Sequence, residues 1–197
     1  ITNALGTNFE LVVANTDADP LYASMQLAAL YSNGVQVAIG PESSAECEAL
    51  LPLTTNGTGM LLLSCAATAV PLAIPNDNLM RLTMDDSNQA RELAQRIVDD
   101  GITHLAVLKR SDIYGEGMGD AFWNEYTNRD GTVFFNEYYP RVTDLFGEVM
   151  SNLNAAVAAQ VAATGEDRVG VLIVSFDEGV MLLEEAAAFP ALNAVRW

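Results

Sequence analysis

Short apolar, β-rich runs alternate with longer helical stretches along almost the whole chain, and glycines punctuate the joints. A chain written this way has few folding options. Strands that are apolar along their length need both faces of a sheet covered, and a helix between consecutive strands makes those strands parallel. Strands are expected at 10–14, 35–39, 60–64, 79–83, 104–108, 133–138 and 169–174, with a further one beginning at Ala194. Asp19 before Pro20 reads as an N-cap followed by a proline at the first helical position, and the helix they open ends at Asn33-Gly34. Further helices are expected from Ser43 to about Thr55 and over 87–100, 117–128, 144–163 and 178–188. Asn56–Gly59 and Arg129–Gly131 read as turns.

The order is βαβαβ, a connector, then βαβαβαβ. This predicts an α/β protein of two Rossmann-like lobes, each a parallel sheet flanked by helices. The first lobe takes residues 1–85 and the second 86–197, meeting near 84–87 with a cleft between them. No Pro- or Ser-rich tether separates the halves, so a hinge of crossing strands is expected.

Charge and composition narrow the function. The 26 acids against 9 bases leave a net charge of −17, which argues against nucleic acid and anionic membranes as partners. Lys109 is the only lysine. The acidity reads as a solubilising surface or as adaptation to a salt-rich habitat. No run approaches the roughly 18 apolar residues of a membrane span. Two cysteines, Cys47 and Cys65, and one histidine, His104, build neither a disulfide framework nor a His/Cys metal centre, so no metal and no cofactor are expected. No signal peptide opens the sequence. Both ends read as interior to a longer chain, with Val195–Trp197 stopping inside a strand.

Catalytic motifs fail on inspection. Gly115-Glu-Gly-Met-Gly119 resembles a dinucleotide loop, but the third glycine position holds Asp120, and Glu116 would repel a pyrophosphate. No P-loop is present. Ser43 and Ser44 lack the surroundings of a nucleophile elbow. His104 begins a strand and reads as a structural residue on the edge of the sheet, while Glu184-Glu185 reads as a solvated helix surface. The chain is therefore expected not to be an enzyme.

Ligands of open α/β sheets bind outside the carboxyl ends of the strands. The residues there are Glu42, Ser43 and Ser44 at a helix N-terminus, Cys65 through Thr68 after the next strand, Tyr114 after 104–108, and Phe176 with Asp177 after 169–174. Helix N–H groups and hydroxyls suit a carboxylate, and aromatic walls suit the rest of a small polar solute. At Ser43 and Ser44 plain N-capping is the competing role, and one serine can cap while the other faces the ligand.

Val37-Ala-Ile-Gly-Pro-Glu-Ser-Ser44, Leu63-Ser-Cys-Ala-Ala-Thr68, Met80-Arg81 with Asp86-Ser-Asn-Gln89, and Tyr114-Gly-Glu-Gly117 stand in one order and spacing. Together they resemble the type I periplasmic solute-binding proteins of the leucine/isoleucine/valine-binding branch, whose fold the receptor ligand-binding domains share. The resemblance covers roughly 10–197. It implies capture of a small polar ligand, an amino acid or related amide or carboxylate, by an extracytoplasmic receptor that closes its lobes and serves an ABC-type transporter permease. The alternative is a sensor domain of a signalling receptor or regulator on the same fold. Carried over by position, Ser44, Ala66, Thr68 and Tyr114 contact the ligand, Phe176 or Asp177 adds a contact, and Asp86 lies at the crossing between lobes. The resemblance also places the family's first strand before Ile1 and its return strands after Trp197. Cys47 and Cys65 fall at the same end of the first lobe, where a disulfide between them and two buried free thiols are the two readings.

Overall fold

The computed structural model describes residues 10–141 and 146–197. The chain forms two compact units, Ile1–Ala67 with Ile74–Thr83, and Thr68–Ala73 with Met84–Trp197. The short segment Thr68–Ala73, read from sequence with the first lobe, groups with the second unit. Its local bonds explain this: the Asp86 N–H donates to Thr68 O at 3.0 Å, and Pro71 lies against the helix that carries Gly117.

The first unit contains α1 (Pro20–Ser32), β1 (Val37–Ile39), α2 (Ser44–Leu53), β2 (Leu61–Ser64) and β3 (Leu79–Arg81). Asp19 caps α1 by accepting from the Tyr22 N–H at 2.8 Å, and Gly34 leaves the helix at a φ of 83°. The three strands are parallel in the order β1-β2-β3, with Val37 opposite Leu61 and Leu63 opposite Met80. α1 packs on α2, and Ala23, Leu27, Leu50 and Leu62 are buried.

Two expectations fail in this unit. Residues 10–14 form no strand. They run as irregular chain along one wall of a cavity of about 350 Å³ that α1 and β1 also line. Their β-rich composition supplies propensity but no ladder partner, and a strand needs the partner. The run 35–39 does not form a buried strand: Val37 is 50% and Ile39 83% exposed. They share a sheet face with Met80, which is also exposed.

The second unit contains α3 (Asp86–Asp99), β4 (His104–Arg110), α4 (Ile113–Thr127), β5 (Thr132–Tyr139), α5 (Gly147–Thr164), β6 (Val169–Val174), α6 (Glu178–Ala186) and the short α7 (Pro190–Asn193). Its sheet is parallel, in the order β5-β4-β6. Both faces are covered, so the middle of β4, Leu105–Leu108, is apolar. Leu105 and Val107 pack with Ala90, Ala94, Met118, Phe122 and Tyr126 of α3 and α4. Ala106 and Leu108 pack with Met150, Leu153, Val157, Leu182 and Leu192 on the other side.

Three details depart from the sequence reading here. His104 begins the central strand of this sheet and lies at its amino end, so it is not on a sheet edge. α4 begins four residues before the expected Gly117 because Asp112 caps it, accepting from the Gly115 N–H at 3.0 Å. The strand expected from Ala194 is reduced to one bridge, Arg196 with Gly170, after the short α7. The expected start of α5 at Asp144 lies outside the described residues.

Candidate functional site

The loops that follow the strands carry the expected ligand residues, and the two units are described separately. In the first unit, Ser43 is the N-cap of α2. Its Oγ accepts from the Glu46 N–H at 3.2 Å and donates to Glu46 Oε2 at 2.7 Å, while the Ser43 N–H donates to the same oxygen at 3.2 Å. This reciprocal capping box commits the Ser43 hydroxyl locally. Ser44 begins α2 and is buried, whereas Ala66, after β2, is exposed.

Cys47 and Cys65 are both free thiols, so no disulfide joins them. The alternative of two buried thiols is also only half met, because Cys47 is buried and Cys65 exposed. Burial pushes the Cys47 thiol up to about 11, opposed by a hydrogen bond from Ser64. The physical reason is direction: Cys47 points into the core from the second turn of α2, while Cys65 leaves β2 toward solvent.

In the second unit four expected residues come together. Thr68 O receives the Asp86 N–H at the start of α3. Asp86 is buried at the first position of α3, which Asp85 caps by accepting from the Ser87 N–H at 3.0 Å. The Tyr114 hydroxyl is pushed above its ordinary value, first by burial and then by the nearby Asp86 carboxylate, with Arg110 acting in the opposite direction. The Tyr114 ring stacks on Phe176, centroids 4.9 Å apart and planes 12° from parallel. Phe176 is 46% exposed, and Asp177 beside it is exposed and makes no side-chain cap to α6.

Beneath this pair lies a group the sequence reading did not single out. Arg110 ends β4 and is 5% exposed. Its Nε donates to Asp112 Oδ2 at 2.7 Å and its Nη1 to Glu178 Oε1 at 2.8 Å. Its guanidinium carbon sits 4.0 Å from the Phe176 ring centroid. The Tyr139 hydroxyl lies 2.9 Å from the same Glu178 oxygen and 3.1 Å from Val174 O. Burial and Glu178 both raise the Tyr139 hydroxyl far above its ordinary range. Glu178 is 68 positions from Arg110, so the only local signal was the alternation Arg110-Ser-Asp112.

The glycines once read against a dinucleotide loop have another cause. Gly115 and Gly119 lie inside α4, not in a loop ahead of it. A Cβ on Gly115 would fall 2.0 Å from Arg110 O, and one on Gly119 would fall 2.6 Å from Lys109 Cδ. Glycine at these places lets α4 lie directly on the end of β4. Lys109 itself is buried against the Tyr138 ring, its Nζ 4.5 Å from the centroid and 3.8 Å from Asp120 Oδ1.

Among the described residues no group of three or more His, Cys, Asp or Glu is placed to hold a metal ion, and no helix is long and apolar enough to cross a membrane.

Over residues 2–195 the chain matches the family described as the receptor family ligand binding region, and it belongs to that family. Solved structures similar to it include a periplasmic binding protein from Burkholderia mallei, at 12% identity and a TM-score of 0.76 over 93% of this chain and 47% of that one. A leucine binding protein from Thermotoga maritima is 19% identical with a TM-score of 0.72, over 96% of this chain and 58% of the other. An ABC transporter substrate-binding protein from Desulfitobacterium hafniense, in complex with Leu, is 22% identical with a TM-score of 0.69, covering 92% and 52%. An uncharacterized protein of Methanocaldococcus jannaschii is 24% identical over 184 residues, 89% of this chain and 42% of that protein. The likenesses establish the α/β fold of periplasmic binding proteins, and the chain spans about half the length of these relatives.

Proposed function

We propose that the chain is part of an extracytoplasmic receptor that captures a small polar ligand, an amino acid or related amide or carboxylate, for an ABC-type transporter. The observation that carries this reading is the grouping of Thr68, Asp86, Tyr114 and Phe176 in one unit, beyond the carboxyl ends of parallel strands, in a chain that matches a ligand-binding family over nearly its whole length. In this reading Thr68 and the Tyr114 hydroxyl bond the polar part of the ligand, Asp86 favours a cationic group near Tyr114, and Phe176 covers its apolar part. Asp177 lies exposed beside Phe176 as a further polar contact. Ser43, Ser44 and Ala66, after β1 and β2 of the first unit, are further candidate contacts by position, and the Ser43 hydroxyl also caps α2. Closure of the two lobes on the ligand shifts an existing open–closed equilibrium. The leucine-bound relative supports the amino-acid class.

A sensor domain is the second reading, favoured by the family's description as a receptor region. In both readings the protein binds and does no bond chemistry.

A thermal-shift screen of the full-length protein against amino acids, small amides and carboxylates tests the proposal. A ligand at 100 times its dissociation constant adds about 2.7 kcal/mol of stability. A clear shift with one amino acid supports the transport receptor and identifies the ligand class. A flat response across the panel removes the amino-acid assignment.

A further inference from the structure

The aromatic pair does not stand by itself. Tyr114 sits in the first turn of α4, and Phe176 immediately precedes α6, so the two rings come from different βα junctions. Arg110 reaches both. Through Nε it holds Asp112, whose other oxygen caps α4 at Gly115, and through Nη1 it holds Glu178 at the first position of α6. Its guanidinium lies over the Phe176 ring, which in turn stacks on Tyr114. The same Glu178 oxygen also accepts from the Tyr139 hydroxyl of β5. Gly115 allows α4 to descend onto Arg110 O, which brings Asp112 within 2.7 Å of the guanidinium.

A buried arginine between two carboxylates is hard to justify by stability, since such ions lose hydration and an apolar replacement is often as stable. A planar group that forks to two helix starts and stacks on a ring does what an apolar residue cannot: it sets the angle of the ring. We infer that Arg110 is a positioning residue that locks Tyr114 and Phe176 into one ordered wall by joining the starts of α4 and α6. The inference rests on the reading of Tyr114 and Phe176 as ligand contacts.

The test compares the full-length wild type with Arg110→Lys, which keeps the charge and loses the plane, and with Asp112→Asn, which keeps a capping oxygen and loosens the guanidinium. Two quantities are followed: the nuclear Overhauser contact between the Tyr114 and Phe176 rings without ligand, and the dissociation constant for L-leucine. The Phe122–Tyr126 stack, centroids 5.4 Å apart under α3 and α4, is the internal control. In Arg110→Lys the Tyr114–Phe176 contact weakens severalfold, the control contact persists and the dissociation constant rises about tenfold. Asp112→Asn moves the same way by less, and it decides the matter if Arg110→Lys does not fold. An unchanged Tyr114–Phe176 contact in the variants overturns the inference, as does equal loss of both ring contacts, which would mark general loosening. The ring contact needs no ligand, so a wild type that ignores leucine excludes leucine as the ligand while the rings still judge Arg110.

Discussion

At the scale of single residues, small side chains carry large consequences where elements touch. The Cβ absent from Gly115 would meet a carbonyl oxygen of the strand beneath, not the flexible end of a side chain. Gly115→Ala therefore loses about 1–3 kcal/mol, as overpacked cores do, measured as a lower midpoint in chemical denaturation. Tyr114→Ala is expected to separate two roles. The ring is half-buried and stacks on one neighbour, so its loss weakens ligand binding far more than folding, and unchanged affinity would remove Tyr114 from the site. The thiols give the simplest check. Exposed Cys65 reacts with a thiol reagent in the native protein, and buried Cys47, its thiol pushed up to about 11, reacts only after unfolding. A native count of two reactive thiols, or of none, contradicts the placement.

At the scale of elements, the caps were the most legible feature. Asp19 with Pro20 and the glycine at 34 were read correctly because a cap is a local arrangement of adjacent residues. The Ser43–Glu46 box is equally local, and it engages the Ser43 hydroxyl within α2. Ser43→Ala removes the acceptor for the Glu46 N–H and a donor to the buried Glu46 carboxylate. It lowers stability by about 1 kcal/mol, read by thermal unfolding. The start of α4 was missed by a turn, since Ile113-Tyr-Gly115-Glu-Gly117 is glycine-rich and reads as loop. Packing against β4 makes it helix, which overrides the weak intrinsic propensity of glycine.

At the scale of the whole molecule, burial and net charge govern the response to solution conditions. Cys47 and Tyr126 are neutral when protonated, and burial raises them from ordinary values of 9.0 and 10.0 to about 11 and about 12. The folded protein thus keeps protons that the unfolded chain releases. Their contribution is complete below pH 9 and is lost as pH rises through 9 to 12, so the melting temperature falls across that window. A melting temperature constant to pH 12 would contradict the burial. The net charge of −17 acts at longer range. Self-repulsion opposes the compact state and salt screens it, so the melting temperature rises between 0.1 and 1 M sodium chloride.

The sequence by itself determined the α/β alternation, the parallel strand direction, the caps at Asp19 and Gly34 and the loops that bear Thr68, Asp86, Tyr114 and Phe176, because periodicity and caps are written in neighbouring residues. Tertiary structure decided the rest. It denied residues 10–14 a ladder partner, left Val37 and Ile39 exposed, and made His104 the first residue of a central strand. It also joined Arg110 to Glu178 and set Phe176 on Tyr114. Those outcomes depend on which distant residue arrives beside a given one, and local sequence carries no term for that.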